Sequence, residues 1–167
     1  THQASLPVPM PQEFIGEYSY DGETWQPLTE DAELSAQKGD LFLRGTFLRE
    51  MKDGWQLNFY RNHIGVSIKV NGEQIFMDTM LQVPDLQAEV FASMCAREWM
   101  AVPVSGISTQ DTVEIHLHNP HVFGNKTAYK DFLTTLCSDM PIPGLNILQQ
   151  NLNTYGEPFR ITGGLLA

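Results

Sequence analysis

The stretch HIGVSIKVNGEQIFM, residues 63–77, decides the fold class. Ile64, Val66, Ile68 and Val70 alternate with His63, Gly65, Ser67 and Lys69. A period of two puts one set of side chains on a buried face and the other towards solvent, which is the pattern of a half-buried strand. Asn71-Gly72 follows at once, and a type I′ turn needs positive φ at both of its central residues. EQIFM then returns as the partner strand. Upstream, DLFLRGTFL (40–48) and WQLNFYRN (55–62) repeat the alternation, and REMKDG between them predicts a turn at Asp53-Gly54. Downstream, WMAVPV (99–104) and TVEIHLHN (112–119) add two strands, and EYSYDGETWQPL (17–28) predicts an early hairpin with Asp21-Gly22 at its tip. One segment has helical spacing: in TAYKDFLTTLC (127–137), Tyr129, Phe132, Leu133 and Leu136 follow i, i+3, i+4, i+7, with Asn125 or Thr127 placed to cap the start. DLQAEVFASM (85–94) has room for a second helical turn. Many short strands, glycine turns and one late helix predict an all-β protein, an antiparallel β-sandwich with one or two short helices.

The 167 residues fit one domain, expected over 13–167. THQASLPVPMPQ (1–12) has three prolines and no periodicity, so it reads as an N-terminal tether. Twenty acidic against ten basic side chains give a net charge of −10, which repels phosphate backbones, so nucleic acid is not an expected partner. No apolar run reaches the ~18 residues needed to cross a bilayer. FRITGGLLA (159–167) turns apolar as it ends and reads either as a last strand or as the approach to a membrane helix. Cys95 and Cys137 permit one intramolecular pairing, which would close a loop of roughly 40 residues and contribute about 3–4 kcal/mol; two buried thiols are the other reading. Neither cysteine lies in a CxxC pair, which disfavours a zinc ribbon or redox motif.

DTVEIHLHNPHVFGN (111–125) raises the question of a metal. With Val113, Ile115 and Leu117 facing the core, Glu114, His116 and His118 share the outer face, and two histidines at i, i+2 can ligate one ion. His121 lies just beyond and could add a third nitrogen. No carboxylate follows at a recognised ligand spacing and no HExxH helix exists, so a solvent-facing histidine pair is the preferred reading and no metal or other cofactor is expected. There is no GxSxG elbow, Ser105 has no identifiable base, and nothing groups Asp78, Asp85, Glu89 and Glu98 into a carboxylate pair. No GxGxxG or P-loop is present. Asn125-Lys126-Thr127 matches a glycosylation acceptor, although helix capping explains the same residues. Aromatic and polar residues at strand ends are the more productive signal. Trp25, Trp55 and Tyr60 can stack on sugar rings or apolar ligand faces, while Arg61 and Asn62 supply directional hydrogen bonds; packing in the core is the competing role for Trp25 and Trp55. The candidate ligand-binding residues are Trp25, Tyr60, Arg61, His116 and His118.

The succession YSYDGETWQPL, GDLFLRGTF, VSIKVNGEQIF, WMAVPVSGISTQDTVEIHLHNPH and NKTAYKDFL resembles the galactose-binding-like sensor domain on the outer side of bacterial membrane signalling proteins, mainly diguanylate cyclases and histidine kinases. The resemblance covers about residues 15–138. It implies a jelly-roll sandwich, extracytoplasmic and membrane-anchored through a segment outside this chain. It also implies ligand sensing rather than catalysis, with a small molecule or carbohydrate as ligand, a separate output domain, and a homodimer as one arrangement. The family offers no fixed ligand and no binding motif to carry over. The same strand pattern occurs in carbohydrate-binding modules of secreted hydrolases, which is the alternative expectation; a histidine-ligated metal-dependent enzyme is the third.

Overall fold

The computed structural model of the protein describes residues 10–35, 39–78, 97–120 and 125–140. Within them the chain forms β1 (Met10–Pro11), β2 (Phe14–Ser19), β3 (Gln26–Pro27), β4 (Gly39–Phe47), β5 (Met51–Arg61), β6 (Gly65–Val70) and β7 (Glu73–Met77). After these come β8 (Glu98–Ile107), β9 (Val113–Asn119), helix α1 (Ala128–Thr134) and β10 (Cys137–Asp139). The strands make two antiparallel sheets, one ordered β1-β10-β5-β8 and the other β3-β2-β4-β9-β6-β7. The all-β sandwich expected from the alternation is what the chain adopts.

The core lies between the sheets and consists of the apolar set of each alternating strand. Leu41, Leu43 and Phe47 of β4, Val66 and Ile68 of β6, and Val113, Ile115 and Leu117 of β9 meet Leu57 and Phe59 of β5 and Val102 and Val104 of β8. The helix closes one side of this core. Tyr129 and Phe132, from the predicted apolar stripe, are buried, and the Phe132 ring packs on Phe59 at 4.8 Å. Neither expected side chain caps the helix. The Thr127 hydroxyl instead donates to the Asp131 carboxylate at 2.8 Å. Asn125 is buried and its amide donates to the Asn119 side chain at 2.7 Å, while its backbone carbonyl accepts from Ala128. That amide, the nitrogen a glycan would need, is inside the folded domain.

The hairpin at Asn71-Gly72 forms as expected, with φ of 51° and 82° and with β6 paired to β7. So does the early hairpin, where β2 pairs with β3 around Gly22. Asp53-Gly54 does not turn the chain. It lies inside β5, where the register against β8 slips between Asp53 and Gln56, and Gly54 has φ of 87°. Positive φ serves a bulge as well as a turn, and the chain reverses earlier, between Phe47 and Met51, as it passes from one sheet to the other. The tether boundary also moves. Met10 and Pro11 already pair with Ser138 and Cys137, and buried Gln12 donates to the Arg49 carbonyl. The second helical turn expected within 85–94, Cys95, His121 and the C-terminal FRITGGLLA lie outside the described residues. Among the described residues, no helix is long and apolar enough to cross a membrane.

Candidate functional site

The outer face of the six-stranded sheet follows from its register. Ser19, Phe42, His116, Ser67 and Met77 are successive cross-strand partners on β2, β4, β9, β6 and β7, so they form one row. The adjacent row reads Pro27, Glu17, Arg44, Glu114, Lys69 and Gln74, with charges of alternating sign at its centre. Asp40, His118 and Gly65 make a third row on the other side. These are the positions left outside when Leu41, Leu43, Ile115, Leu117 and Ile68 turn inward.

A cavity of about 550 Å³ opens over the first two rows, lined by Trp25, Phe42, Arg44, Lys69, Glu114 and His116 among others. Trp25 reaches it from the hairpin loop between β2 and β3, and the Arg44 guanidinium lies 3.9 Å from the centre of its ring. Arg44 is also paired with Glu17 at 2.9 Å. A guanidinium on an indole face with a carboxylate behind it is a preorganised donor platform, because stacking and ion pairing restrict the same long side chain. The Phe42 ring stacks on His116, with centroids 4.6 Å apart and planes 18° from parallel. Among the described residues, no carboxylate forms an ion pair with Lys69, which is exposed.

His116 and His118 meet at one carboxylate. The Nε2 of His116 and the Nδ1 of His118 each stand 2.8 Å from the same oxygen, Oδ1 of Asp40. These two hydrogen bonds hold the Asp40 carboxyl well below the usual carboxylate range against the opposing effect of burial. Among the described residues, no group of three or more His, Cys, Asp or Glu side chains is placed to hold a metal ion. Nor does a hydrolytic relay form. Ser67 is the cross-strand partner of His116, yet among the described residues no hydrogen bond joins Ser67 to the imidazole, whose Nε2 is engaged by Asp40 from the adjacent row.

The five residues singled out from the sequence therefore divide. Trp25 and His116 line the cavity, whereas His118 does not line it and is tied to His116 by the Asp40 oxygen they share. Tyr60 belongs to the other sheet, where its ring lies 5.4 Å from Trp99 and its backbone amide donates to the Thr135 hydroxyl. Burial raises its phenol pKa. Arg61 is a correction: it continues the inward set of β5 after Leu57 and Phe59 and is only 4% exposed. Its two terminal nitrogens are taken by Asp78 and, at 2.5 Å, by Glu98. Asp78 follows β7 and Glu98 opens β8, so the guanidinium ties one sheet to the other instead of facing a ligand. Trp55, the other tryptophan in question, packs against the core.

Sequence reading missed Phe42, Arg44, Asp40, Ser67, Lys69 and Glu114. Each sits at an outer position of a strand that the alternation identified, so the signal was present strand by strand. Their convergence depends on which strands are neighbours and in what register. No protein-family model, curated protein or solved structure matches this chain.

Proposed function

We propose that this domain is a non-catalytic recognition module that binds a small molecule or glycan on the outer face of its six-stranded sheet. The cavity of about 550 Å³ carries this reading, because it sets the aromatic surfaces of Trp25, Phe42 and His116 beside the donors and acceptors of Arg44, Lys69, Ser67 and Glu114. Its volume is within the ~300–1,000 Å³ of small-ligand sites. Aromatic faces take the apolar side of a sugar ring, and charged side chains exchange directional hydrogen bonds with its hydroxyls. Among the described residues that line it, Glu114 is the sole carboxylate, whereas glycoside cleavage uses two.

The resemblance of the strand succession to extracytoplasmic sensor domains extends the proposal. Ligand binding on this face is passed to a membrane-attached output domain, which requires the ligand to bind one arrangement of the protein more tightly than another. A carbohydrate-binding module would use the same face without that coupling.

Calorimetric titration with neutral mono- and oligosaccharides tests the site. Saturable binding should weaken at least tenfold in Trp25→Ala and in Lys69→Ala, while Tyr60→Phe, on the opposite sheet, leaves it unchanged. Affinity indifferent to both Trp25 and Lys69 would rule this face out.

A further inference from the structure

Asp40 is the link between the two histidines, and its chemistry assigns their protons. An ionised carboxylate has no hydrogen to donate, so every hydrogen bond it makes is one it accepts. One oxygen, Oδ1, is 2.8 Å from Nε2 of His116 and 2.8 Å from Nδ1 of His118. Both ring nitrogens must then carry hydrogen. In a neutral imidazole the other nitrogen is left with a lone pair: Nδ1 of His116 and Nε2 of His118.

The arrangement is rigidly held. Asp40 is the cross-strand partner of His118, and Phe42, two residues on, is the partner of His116. The Phe42 ring stacks on His116 and fixes the plane of the imidazole. The residue before Asp40 is secured from the helix, because the Tyr129 hydroxyl donates to the Gly39 carbonyl at 2.7 Å. The side chain of His116 is one-third exposed and lines the cavity, and among the described residues nothing hydrogen-bonds its Nδ1.

We propose that Asp40 is the positioning residue of this site: it holds His116 in its Nε2–H form, so that Nδ1 stands as a hydrogen-bond acceptor for a ligand hydroxyl. The inference rests on the binding reading above and narrows the ligand to a neutral hydroxyl donor such as a sugar or other polyol. A carboxylate or phosphate oxygen at that point would set lone pair against lone pair. The neighbouring row supplies the remaining partners of a polyol, with acceptors on Glu114 and donors on Arg44 and Lys69.

The test has two readouts. Long-range proton–nitrogen correlation spectra of nitrogen-15-labelled protein, recorded where imidazole is neutral, report the tautomers with no ligand added. His116 should show hydrogen on Nε2 and none on Nδ1, and His118 the reverse. Asp40→Asn, which keeps shape but can turn its amide to donate, should redistribute both tautomers with little change in melting temperature. Calorimetry with the methyl glycosides of glucose, galactose and mannose should then show at least a tenfold loss of affinity in Asp40→Asn. His116→Phe, which keeps a ring against Phe42 but removes the acceptor, should lose affinity equally. Hydrogen on Nδ1 of His116 in the wild-type protein overturns the assignment outright. Wild-type tautomers and affinity in Asp40→Asn overturn the positioning role alone and leave the binding function standing. Failure of all three glycosides to bind the wild-type protein overturns the hydroxyl-donor ligand, whatever the tautomers show. If Asp40→Asn does not fold, the wild-type spectra and His116→Phe still decide the question.

Discussion

Asp139 is a single carboxyl in an unfavourable place. It ends β10 at 1% exposure and accepts a hydrogen bond from the Asn58 amide. Burial outweighs that bond and pushes its pKa up to about 6. A carboxyl that holds its proton more tightly in the folded state than in the unfolded chain stabilises the fold at low pH. That contribution is complete below about pH 4, the ordinary range of an aspartate, and is lost as pH rises to about 6. Its full size is up to about 3 kcal/mol. Urea unfolding measured at pH 4 and pH 6.5 should therefore give a larger fall in stability across that interval for the wild-type protein than for Asp139→Asn, which cannot ionise. Equal falls in the two proteins would show that Asp139 does not govern the window. Asp40 behaves in the opposite sense: its two imidazole partners depress its pKa, so its contribution is present at neutral pH and is lost in acid.

Two kinds of glycine constraint act within the strands, and they give different predictions. Gly16 of β2 and Gly45 of β4 are directly paired. A Cβ on Gly16 would fall 2.1 Å from the Arg44 carbonyl oxygen, and one on Gly45 would fall 1.9 Å from that of Ile15. The obstacle is backbone of the paired strand, so relief would require β2 and β4 to separate. Each of Gly16→Ala and Gly45→Ala should cost roughly 1–3 kcal/mol or more, the range for forced overpacking, read as a lowered urea midpoint. Gly54, in the bulge of β5, has open space around it but φ of 87°. Gly54→Ala should cost only about 1 kcal/mol, since the penalty is conformational alone. A larger loss at Gly54 than at Gly16 would contradict the assignment of strain to the paired glycines. This element also marks where sequence reading stopped. A glycine after an aspartate announces positive φ, but whether the chain turns back or merely bulges depends on the strand it lies against.

At the scale of the molecule, the buried ion cluster of Arg61, Asp78 and Glu98 joins the two sheets at one end of the sandwich. Asp78 is the more buried acid, and its second oxygen also accepts the Val66 backbone N–H at 2.8 Å. Removing the guanidinium strands a buried carboxylate, so Arg61→Ala should cost about 3–5 kcal/mol. Glu98→Ala, which removes the more exposed partner, should cost distinctly less. Comparable losses from both, or a loss below about 1 kcal/mol for Arg61→Ala, would show that the cluster does not hold the sheets together. Arg61 also shows why the candidate site was only half legible. Its neighbours Tyr60 and Asn62 suggested a polar surface, but the alternation of β5 turns Arg61 inward with Leu57 and Phe59, and its partners come from two other strands. The local grammar of the chain was sufficient for the strands, the Asn71-Gly72 hairpin, the helix and the outward direction of His116 and His118, because period-two alternation and turn φ values are properties of adjacent residues. It could not announce β10, three residues long, which exists because β5 and β1 flank it. Nor could it bring Asp40 to His116, 76 positions away, or set Trp25 beside Arg44. Those meetings were decided by strand register and sheet order, which depend on how the whole apolar set packs between two sheets and are encoded in no single segment.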